Sequence, residues 1–400
     1  MAEPFIPYGR QSIDDDDIAA VVAVLKGDWL TQGPTVAAFE KAVAERTGAR
    51  HAVAVATGTA ALHAACFAAG VGPGSEIVTA PITFAASGNC ALYLGGEVRF
   101  ADIRADTYCL DPAKLEAAIG PTTRAIVPVD FTGQPADMNE INAIAKRHGL
   151  MVIEDAAHSL GATYRGRPVG TLADMTILSF HPVKHVATGE GGMVLTDNDV
   201  LAARLRLFRT HGITGEAAEM TLAEQAADAD GPNTAKQKNQ GKAGWYYEMQ
   251  ELGFNYRITD LQCALGISQM GKLEYFLERR RAIARRYSDA FARSPLLTVP
   301  HQEGDRESAW HLYMLRLRLS AMGRTRREVF EDLRGRGIGV HVHYIPLHLQ
   351  PYYRQRYGHR RGDFPVAEAY YDSALTIPLF PAMTDEMVER VIAAVLDAVR

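Results

Sequence analysis

The chain has 400 residues, of which 47% are hydrophobic and 22% charged, a composition that excludes global disorder and favours two domains over one core. Its formal charge is −5, so a partner such as nucleic acid is not expected. No apolar run approaches the roughly 18 residues that span a membrane. The first residues lack the pattern of a secretory signal, and the 4 scattered cysteines form no CxxC pair, so a cytoplasmic protein with reduced thiols is predicted.

The first predicted elements are two helices. Ser12 precedes the stretch DDDDIAAVVAVLKG. A serine followed by acidic residues is typical of a helix start, because the hydroxyl pairs with free amides and the acids suit the positive end of the helix dipole. We interpret the acidic run at 14–17 as part of this start and not as a metal site. The turn WLTQGP and a second helix at 36–47 follow.

The pattern then changes to short apolar strands that alternate with helices. Residues 51–57, HAVAVAT, are typical of a buried strand, and the Ala-rich residues 58–70 are typical of a helix. Alternation of this kind indicates parallel βαβ units, so residues 1–250 are predicted to form a large α/β domain around a mostly parallel sheet. Further strands are predicted at 125–131, 151–157, 175–180 and 192–196, with a helix at 138–149.

The remainder of the chain is predicted to form a second, smaller domain. Residues 215–243 are rich in Ala, Asp, Glu, Gln and Lys and hold no aromatic residue, which predicts a partly mobile surface insertion. Residues 258–292 fit one long amphipathic helix, with the basic cluster at 279–286 on its solvated face. Short strands and helices follow, so residues 251–400 are predicted to be a linking helix and a small α+β domain.

Residues 57–60, TGTA, lie where a predicted strand meets a predicted helix. The free amides and the dipole at a helix start bind phosphate, and Gly58 lets a ligand approach the backbone. The hydroxyls of Thr57 and Thr59 add two donors. Many strand–helix turns have this pattern, so it predicts a phosphate cradle only together with other groups.

A carboxylate and a lysine follow two other predicted strands. Asp155, in VIEDAAHS, ends a buried strand, where ligands of open parallel sheets bind. A buried Asp needs a partner, which a pyridinium nitrogen would supply; a helix cap is the alternative interpretation. Lys184 follows the next strand, within SFHPVKHVATGEGG, and a desolvated lysine has a lowered pKa and forms Schiff bases. Pyridoxal 5′-phosphate (PLP) requires from a protein a phosphate cradle, a pyridinium counter-ion and a Schiff-base lysine.

These motifs resemble those of a known family, and the resemblance extends almost from end to end. The sequence resembles the DegT/DnrJ/EryC1/StrS sugar aminotransferases, which are fold-type I PLP enzymes with an aspartate aminotransferase-like fold. The segments IPYGRQSI, GDWLTQGP and GDFPVAEAYY make it most similar to the transaminases of the pseudaminic acid pathway within that family. The matching segments are WLTQGP, TGTAAL, PITFAASGNCA, EDAAHSLGA, SFHPVKHVATGEGG, LGFNYRITDLQCALG and HYIPLHLQPYY.

The resemblance implies a role for each matching residue. Lys184 would form the internal aldimine with PLP, and Asp155 would keep the ring nitrogen protonated. His158 would contact the ring hydroxyl, and Phe84 would stack on the ring face. The implied phosphate ligands are Gly58, Thr59 and Ser179, together with Asn255 from the second subunit of a homodimer. The residues expected in the sugar pocket are Trp29, Thr31, His343, Tyr344 and His348.

The implied reaction transfers an amino group from L-glutamate to C4 of a UDP-linked 4-keto-6-deoxy-N-acetylhexosamine. One alternative is another nucleotide-sugar aminotransferase of the family, acting on a different 3- or 4-keto sugar. A second alternative is a non-catalytic PLP-binding regulatory protein. A PLP-dependent sugar dehydratase is disfavoured, because in those relatives a histidine replaces the lysine at position 184. No metal site is expected at HVHYIPLH, since no nearby carboxylate or cysteine completes a ligand set.

Overall fold

The computed structural model describes residues 4–216, 220–222 and 245–400. The predicted insertion at 215–243 lies almost wholly outside these described residues. None of the helices in the described ranges combines the length and the apolar composition that a membrane crossing requires.

Two helices open the structure, α1 (Asp15–Leu25) and α2 (Pro34–Thr47). Asp14 caps α1, and the predicted cap Ser12 does not: the Asp14 side chain accepts hydrogen bonds from two amides of the first turn. The Asp17 side chain accepts from the Asp14 amide in return, which completes a capping box. The acidic run is therefore the start of the helix, as its interpretation predicts, but it supplies its own cap.

The strands form one large sheet and three small ones. The large sheet has the order β1–β9–β8–β5–β4–β2–β3, and the small sheets are β10–β11, β12–β14–β15 and β13–β6–β7. In chain order the strands are β1 (His51–Val55), β2 (Glu76–Thr79), β3 (Glu97–Phe100), β4 (Thr123–Val127), β5 (Met151–Asp155), β6 (Thr163–Tyr164), β7 (Arg167–Pro168), β8 (Met175–Ser179), β9 (Gly192–Thr196), β10 (Ile213–Thr214), β11 (Glu248–Met249), β12 (Leu297–Thr298), β13 (Arg306–Glu307), β14 (Tyr313–Leu317) and β15 (Ala374–Ile377).

The large sheet is parallel apart from β9, which runs antiparallel to both of its neighbours, β1 and β8. Residues 180–191 return directly from β8 to β9 without a crossover helix, and a direct return gives an antiparallel pair. Both faces of the sheet are covered: Val152 packs into one hydrophobic cluster and its neighbour Ile153 into another. The mostly parallel, two-sided sheet confirms the predicted α/β fold class.

Helices cover this sheet. Those that connect its parallel strands are α3 (Gly58–Ala68), α4 (Ala86–Leu92), α5 (Pro112–Ala118) and α6 (Met138–His148), and α7 (Asp199–Arg209) follows β9. The strand register brings three strand ends to one edge. Val55 of β1 and Ser179 of β8 both lie opposite Gly192, and Asp155 of β5 lies opposite Ile177 of β8. The segments that follow β1, β5 and β8 therefore meet at the same edge of the sheet.

The prediction of one long helix over 258–292 is wrong, because the structure has two. Helix α8 (Asp260–Met270) ends at Gly271, and α9 (Leu273–Phe291) begins after Lys272. The Lys272 ammonium forms ion pairs with Asp14 and Asp17 near α1. The break therefore lets Lys272 pair with the N-terminal part of the chain.

The predicted solvated face of the basic cluster at 279–286 also needs correction. Arg280 is completely buried, and its Nη1 donates to the carbonyl oxygens of Trp310, His311 and Leu379 at 3.0–3.2 Å. Arg286, in contrast, is partly exposed and pairs with Asp385 and Glu389. The amphipathic pattern fails at Arg280 because three carbonyl groups replace water around its guanidinium.

The C-terminal part packs two helices, α10 (Arg326–Gly335) and α13 (Asp385–Ala398), into one hydrophobic core with the sheet β12–β14–β15. Helices α11 (Pro351–Tyr357) and α12 (Pro365–Ser373) contribute Tyr353 and Tyr370 to the two clusters of the large sheet. The core of the small sheet includes Leu315, Val391 and, from the start of the chain, Ile6. The Ile6 backbone is held there by hydrogen bonds to Gly337 and Gly339. A short N-terminal segment thus packs with the C-terminal part of the chain.

Candidate active site

The N-terminus of α3 lies at the edge of the sheet, directly after β1. Thr57 caps this helix: its Oγ1 accepts from the Ala60 amide at 3.0 Å and its carbonyl accepts from the Ala61 amide at 3.0 Å. The amides of Gly58 and Thr59 precede these two and are the ones that a helix start leaves for an external acceptor.

Gly58 lies against Ser179, the last residue of β8. A Cβ atom at position 58 would lie 3.0 Å from the Ser179 Cβ and 3.1 Å from its Oγ, so the absence of a side chain permits this close approach. Gly58, Thr59 and Ser179 are therefore neighbours, as a phosphate cradle requires. A hydroxyl and two helix-start amides suit a phosphate dianion.

Asp155 is buried at the end of β5, with 5% of its surface exposed. Its Oδ2 accepts from Ser87 Oγ at 2.6 Å, and its Oδ1 accepts from the Ala157 amide at 3.2 Å. Burial raises the pKa of Asp155, whereas these hydrogen bonds and the Lys184 charge lower it. A buried carboxylate of this kind favours a cationic partner, such as a protonated ring nitrogen.

Lys184 lies in the segment that joins β8 to the antiparallel β9. Burial lowers the pKa of Lys184 to about 8, against the opposing effect of the Asp155 carboxylate; the Arg280 charge lowers the pKa further. Asp155 ends β5 and Lys184 follows the neighbouring strand β8, so the two groups lie at one site and each charge acts on the other's pKa. The lowered pKa increases the fraction of free amine near neutral pH, which Schiff-base formation needs.

A cluster of neutral histidines surrounds Lys184. The ring of His158 lies 4.3 Å from that of His311, which lies 5.7 Å from that of His185. Burial lowers the pKa of all three well below the usual value, so each is neutral at pH 7. No sequence motif predicted a role for His311, whose Nε2 lies 3.4 Å from the Lys184 Nζ.

Tyr344 lies beside His158, and Phe84 lies beside Tyr344. The Tyr344 hydroxyl lies 3.4 Å from the His158 Nε2, and the Tyr344 ring centroid is 6.1 Å from that of Phe84. Phe84 is 59% exposed, so a face of its ring is open to a planar ligand. The structure thus brings together Phe84, Tyr344 and His158, which were predicted to contact the cofactor ring or the sugar.

The other two predicted sugar-pocket residues in HVHYIPLH, His343 and His348, form hydrogen bonds within the protein. His343 is buried, and its Nδ1 lies 2.9 Å from Thr376 Oγ1. His348 has no exposed surface, and its Nε2 lies 2.9 Å from Glu368 Oε1 on α12. The prediction that His348 lines the sugar pocket is corrected on this ground: its imidazole binds a buried carboxylate and does not reach an open surface.

The remaining predicted residues lie on exposed segments. Thr31 forms an isolated bridge with Thr259, just before α8, and Trp29 is 58% exposed. Asn255 is also exposed, and the next residue, Tyr256, accepts a hydrogen bond from the Ala56 amide at 2.8 Å. Asn255 therefore lies beside the segment that leads into α3. The sugar contacts of Trp29 and Thr31 and the phosphate contact of Asn255 remain predictions.

The assembled groups fit PLP. The N-terminus of α3 with Ser179 offers amide and hydroxyl donors for the phosphate, and Asp155 offers a buried carboxylate for a protonated ring nitrogen. Lys184 offers an amine of lowered pKa for the aldehyde. Ser87, inside PITFAASGNCA, was not predicted as a site residue, yet its hydroxyl fixes the Asp155 carboxylate. The sequence feature that could have indicated this is a second hydroxyl residue, Thr83, four positions earlier, which lies 2.6 Å from Ser87.

Comparisons with known proteins agree with this chemistry. A curated relative, the spore coat polysaccharide biosynthesis protein SpsC of Bacillus subtilis, is 42% identical over 397 residues, 99% of this chain and 97% of the relative. The structure of Helicobacter pylori PseC, an aminotransferase involved in the biosynthesis of pseudoaminic acid, has a TM-score of 0.88 at 28% identity, with 99% of each chain covered. The PLP form of Streptococcus pneumoniae Spr1654 has a TM-score of 0.86 at 28% identity, covering 99% of this chain and 100% of that one.

The family comparison covers nearly the whole chain. Residues 11–396 match the sequence model of the DegT/DnrJ/EryC1/StrS aminotransferase family. The fold, the lysine and carboxylate at the sheet edge and the extent of this match lead to one assignment. The chain belongs to the DegT/DnrJ/EryC1/StrS aminotransferase family of PLP-dependent enzymes.

Proposed function

We propose that the protein is a nucleotide-sugar aminotransferase that moves the amino group of L-glutamate to C4 of a UDP-linked 4-keto-6-deoxy-N-acetylhexosamine. The products are 2-oxoglutarate and the 4-amino sugar, and the pathway leads to a nonulosonic acid such as pseudaminic acid. The observation that carries the transfer chemistry is the placement of Lys184, Asp155 and the α3 cradle in one site. The likeness to PseC and SpsC and the motifs shared with the pseudaminic acid subgroup support the sugar and its use in surface polysaccharide.

The residues of this chain divide the work between binding and proton transfer. PLP, when bound, supplies an electron sink for the bonds at the carbon that carries the amino group. Asp155 holds the proton on the ring nitrogen, and Phe84 orients the ring plane. Lys184, once it is free, moves a proton at the substrate carbon as a positioned amine. Gly58, Thr59 and Ser179 fix the phosphate end.

The proposal includes a homodimer with shared active sites. Exposed apolar side chains surround Asn255: Tyr247, Met249, Leu252 and Phe254, of which Leu252 is 78% exposed. A patch of this kind favours an interface, and a second copy of the chain would cover it and place Asn255 at the partner's phosphate cradle. The four cysteines are free and buried, which suits the reducing conditions of the cytoplasm.

A single charged substitution in this apolar patch tests the proposed dimer. Leu252→Arg should shift the protein to a monomer in analytical ultracentrifugation, because a buried guanidinium without a partner opposes the interface. Val200→Arg is the matched control, since Val200 is also exposed but lies on α7. An unchanged mass for Leu252→Arg would exclude this patch as the interface.

The activity is tested with purified protein, PLP and L-glutamate. UDP-4-keto sugars of both C5 configurations serve as acceptors, and NMR identifies the amino sugar. Glutamate should bleach the visible absorbance of the loaded protein, and one acceptor should restore it and yield a 4-amino sugar. Bleaching without any sugar product would favour the alternative of a different keto sugar. If no amine donor bleaches the visible absorbance of the PLP-loaded protein, the non-catalytic alternative is favoured.

A further inference from the structure

Arg280 lies behind Lys184 as a buried charge without a carboxylate partner among the described residues. Its Nη1 binds three carbonyl oxygens, and its Nε and Nη2 have no hydrogen-bond partner in the described ranges. Two of those carbonyls belong to Trp310 and His311. The desolvation of a buried guanidinium must be offset by hydrogen bonds, and the bonds to residues 310 and 311 hold that part of the backbone in place.

The backbone at 310–311 is also clamped from the opposite side. Trp310 adopts a left-handed φ of 51°, which a tryptophan rarely takes without support. A Cβ at Gly133, whose φ is 110°, would lie 2.8 Å from the Trp310 nitrogen and 2.9 Å from the His311 nitrogen. The Ala309 amide donates to the Gly133 carbonyl at 2.9 Å. The backbone that carries the His311 side chain is therefore held by Arg280 and by the segment at Gly133.

We propose that His311 is a positioning residue for Lys184, whose Nζ it holds through Nε2, and that Arg280 and Gly133 fix the backbone that presents it. The 3.4 Å separation is long for a hydrogen bond, as is common for catalytic contacts before ligands bind. The inference rests on the proposed role of Lys184 and does not depend on which sugar is the substrate.

His311 acts as a neutral acceptor and not as a proton carrier. The charged or titratable groups that act on Lys184 or His311 are Asp155, His158, His185, Arg280 and His343, together with these two residues themselves. Burial and the Lys184 charge, with a smaller effect of Arg280, oppose a second positive charge on His311, so the Lys184 ammonium donates to the Nε2 without giving up its proton. The hydrogen on the His311 ring is then on Nδ1, which has no partner among the described residues.

The first test measures the Lys184 amine in cofactor-free protein. Competitive labelling with an amine reagent, followed by mass spectrometry across pH, gives the pKa of Lys184 without any cofactor chemistry. His311→Leu should lower this pKa by about one pH unit, because an acceptor for the ammonium is lost while burial remains. His311→Gln places an oxygen near the position of Nε2 and should keep the wild-type value.

The second test follows the donor half of the reaction in the PLP-loaded protein. Loss of deuterium from Cα of labelled glutamate reports proton transfer without a sugar. His311→Leu should slow this exchange at least 10-fold with unchanged PLP affinity, and His311→Gln should restore most of it. Should His311→Leu not fold, His311→Asn, whose side chain is too short to reach Nζ, takes its place and should show the same loss.

Three outcomes would overturn the inference. Wild-type values for the leucine or asparagine variant in both tests would show that the contact does nothing. A glutamine variant as slow as the leucine variant would show that the imidazole itself moves the proton. A uniform loss of PLP binding in all variants would indicate a merely structural role. Failure of every UDP-sugar acceptor would refute the proposed substrate but would leave both tests unaffected.

Discussion

Removal of the Ser87 hydroxyl should weaken the Asp155 carboxylate as a partner for the cofactor nitrogen. Ser87 is completely buried, and its Oγ donates to Asp155 Oδ2 at 2.6 Å. Burial already raises the pKa of Asp155, and the Ser87 hydrogen bond is the first of the interactions that lower it. In Ser87→Ala the pKa of Asp155 therefore rises, and a larger fraction of the carboxylate is protonated on the acidic side of neutrality.

The size of the effect follows from the charge on the acceptor. A hydrogen bond to a charged group contributes about 1.5–3 kcal/mol, and about 1.4 kcal/mol corresponds to a tenfold change in rate. Ser87→Ala should therefore slow the half-reaction with glutamate by roughly 10- to 100-fold. Because the proposed function requires the ionised form of Asp155, the acidic limb of the pH–rate profile should move to higher pH.

Stopped-flow absorbance of the PLP-loaded protein mixed with glutamate measures this rate across pH. Ser159→Ala is the matched control, since the Ser159 hydroxyl is equally buried and donates at 2.6 Å to a different carboxylate, Asp130. An unchanged acidic limb in Ser87→Ala, or an equal shift in Ser159→Ala, would refute the role given to Ser87.

Three further predictions concern the lysine, the cradle and a buried histidine. Lys184→Ala should lose the visible absorbance of the cofactor and all turnover while circular dichroism stays unchanged; retained activity would contradict its assignment. Gly58→Ala should weaken PLP binding about 10-fold in equilibrium dialysis, because the added Cβ would meet Ser179. Gly304→Ala is the control: a Cβ at Gly304 meets no atom within 4 Å, so PLP binding should not change. Burial lowers the pKa of His63 from 6.5 to about 4, so its neutral form contributes fully to the stability of the fold above pH 6.5, and this contribution falls as the pH approaches 4. In urea denaturation, His63→Phe should therefore lose less stability between pH 6.5 and 4 than the wild type. An equally steep loss would contradict this explanation.

The fold class and the central groups of the site could be predicted from short stretches of sequence. Asp155 ends one apolar strand and Lys184 comes five residues after another, so local pattern alone placed both at the same edge of the sheet. Gly58 was predicted in the same way from the change of period after β1. Such predictions succeed because parallel strands bring their carboxyl ends together whatever the intervening chain contains.

The partners of those groups could not be predicted, because they come from distant parts of the chain. Ser87 lies 68 positions before Asp155, and His311 lies 127 positions after Lys184. Arg280 lies in a run of basic residues and, like them, was predicted to be solvated. Only the tertiary structure shows that carbonyl groups surround its guanidinium. His348 was misjudged for the same reason, since Glu368 on α12 takes its imidazole out of reach of a ligand.

The direct return of the chain from β8 to β9 has a consequence for how such an enzyme changes its substrate. The segment that carries Lys184 begins after Ser179 of β8 and ends at Gly192 of β9, and these two residues are paired within the large sheet. Tyr344, in contrast, lies on a loop of the C-terminal part. Under the proposed function, mutations in the loop around Tyr344 change which sugar is recognised and leave the attachment of Lys184 to the sheet intact, so specificity evolves separately from the anchoring of the cofactor.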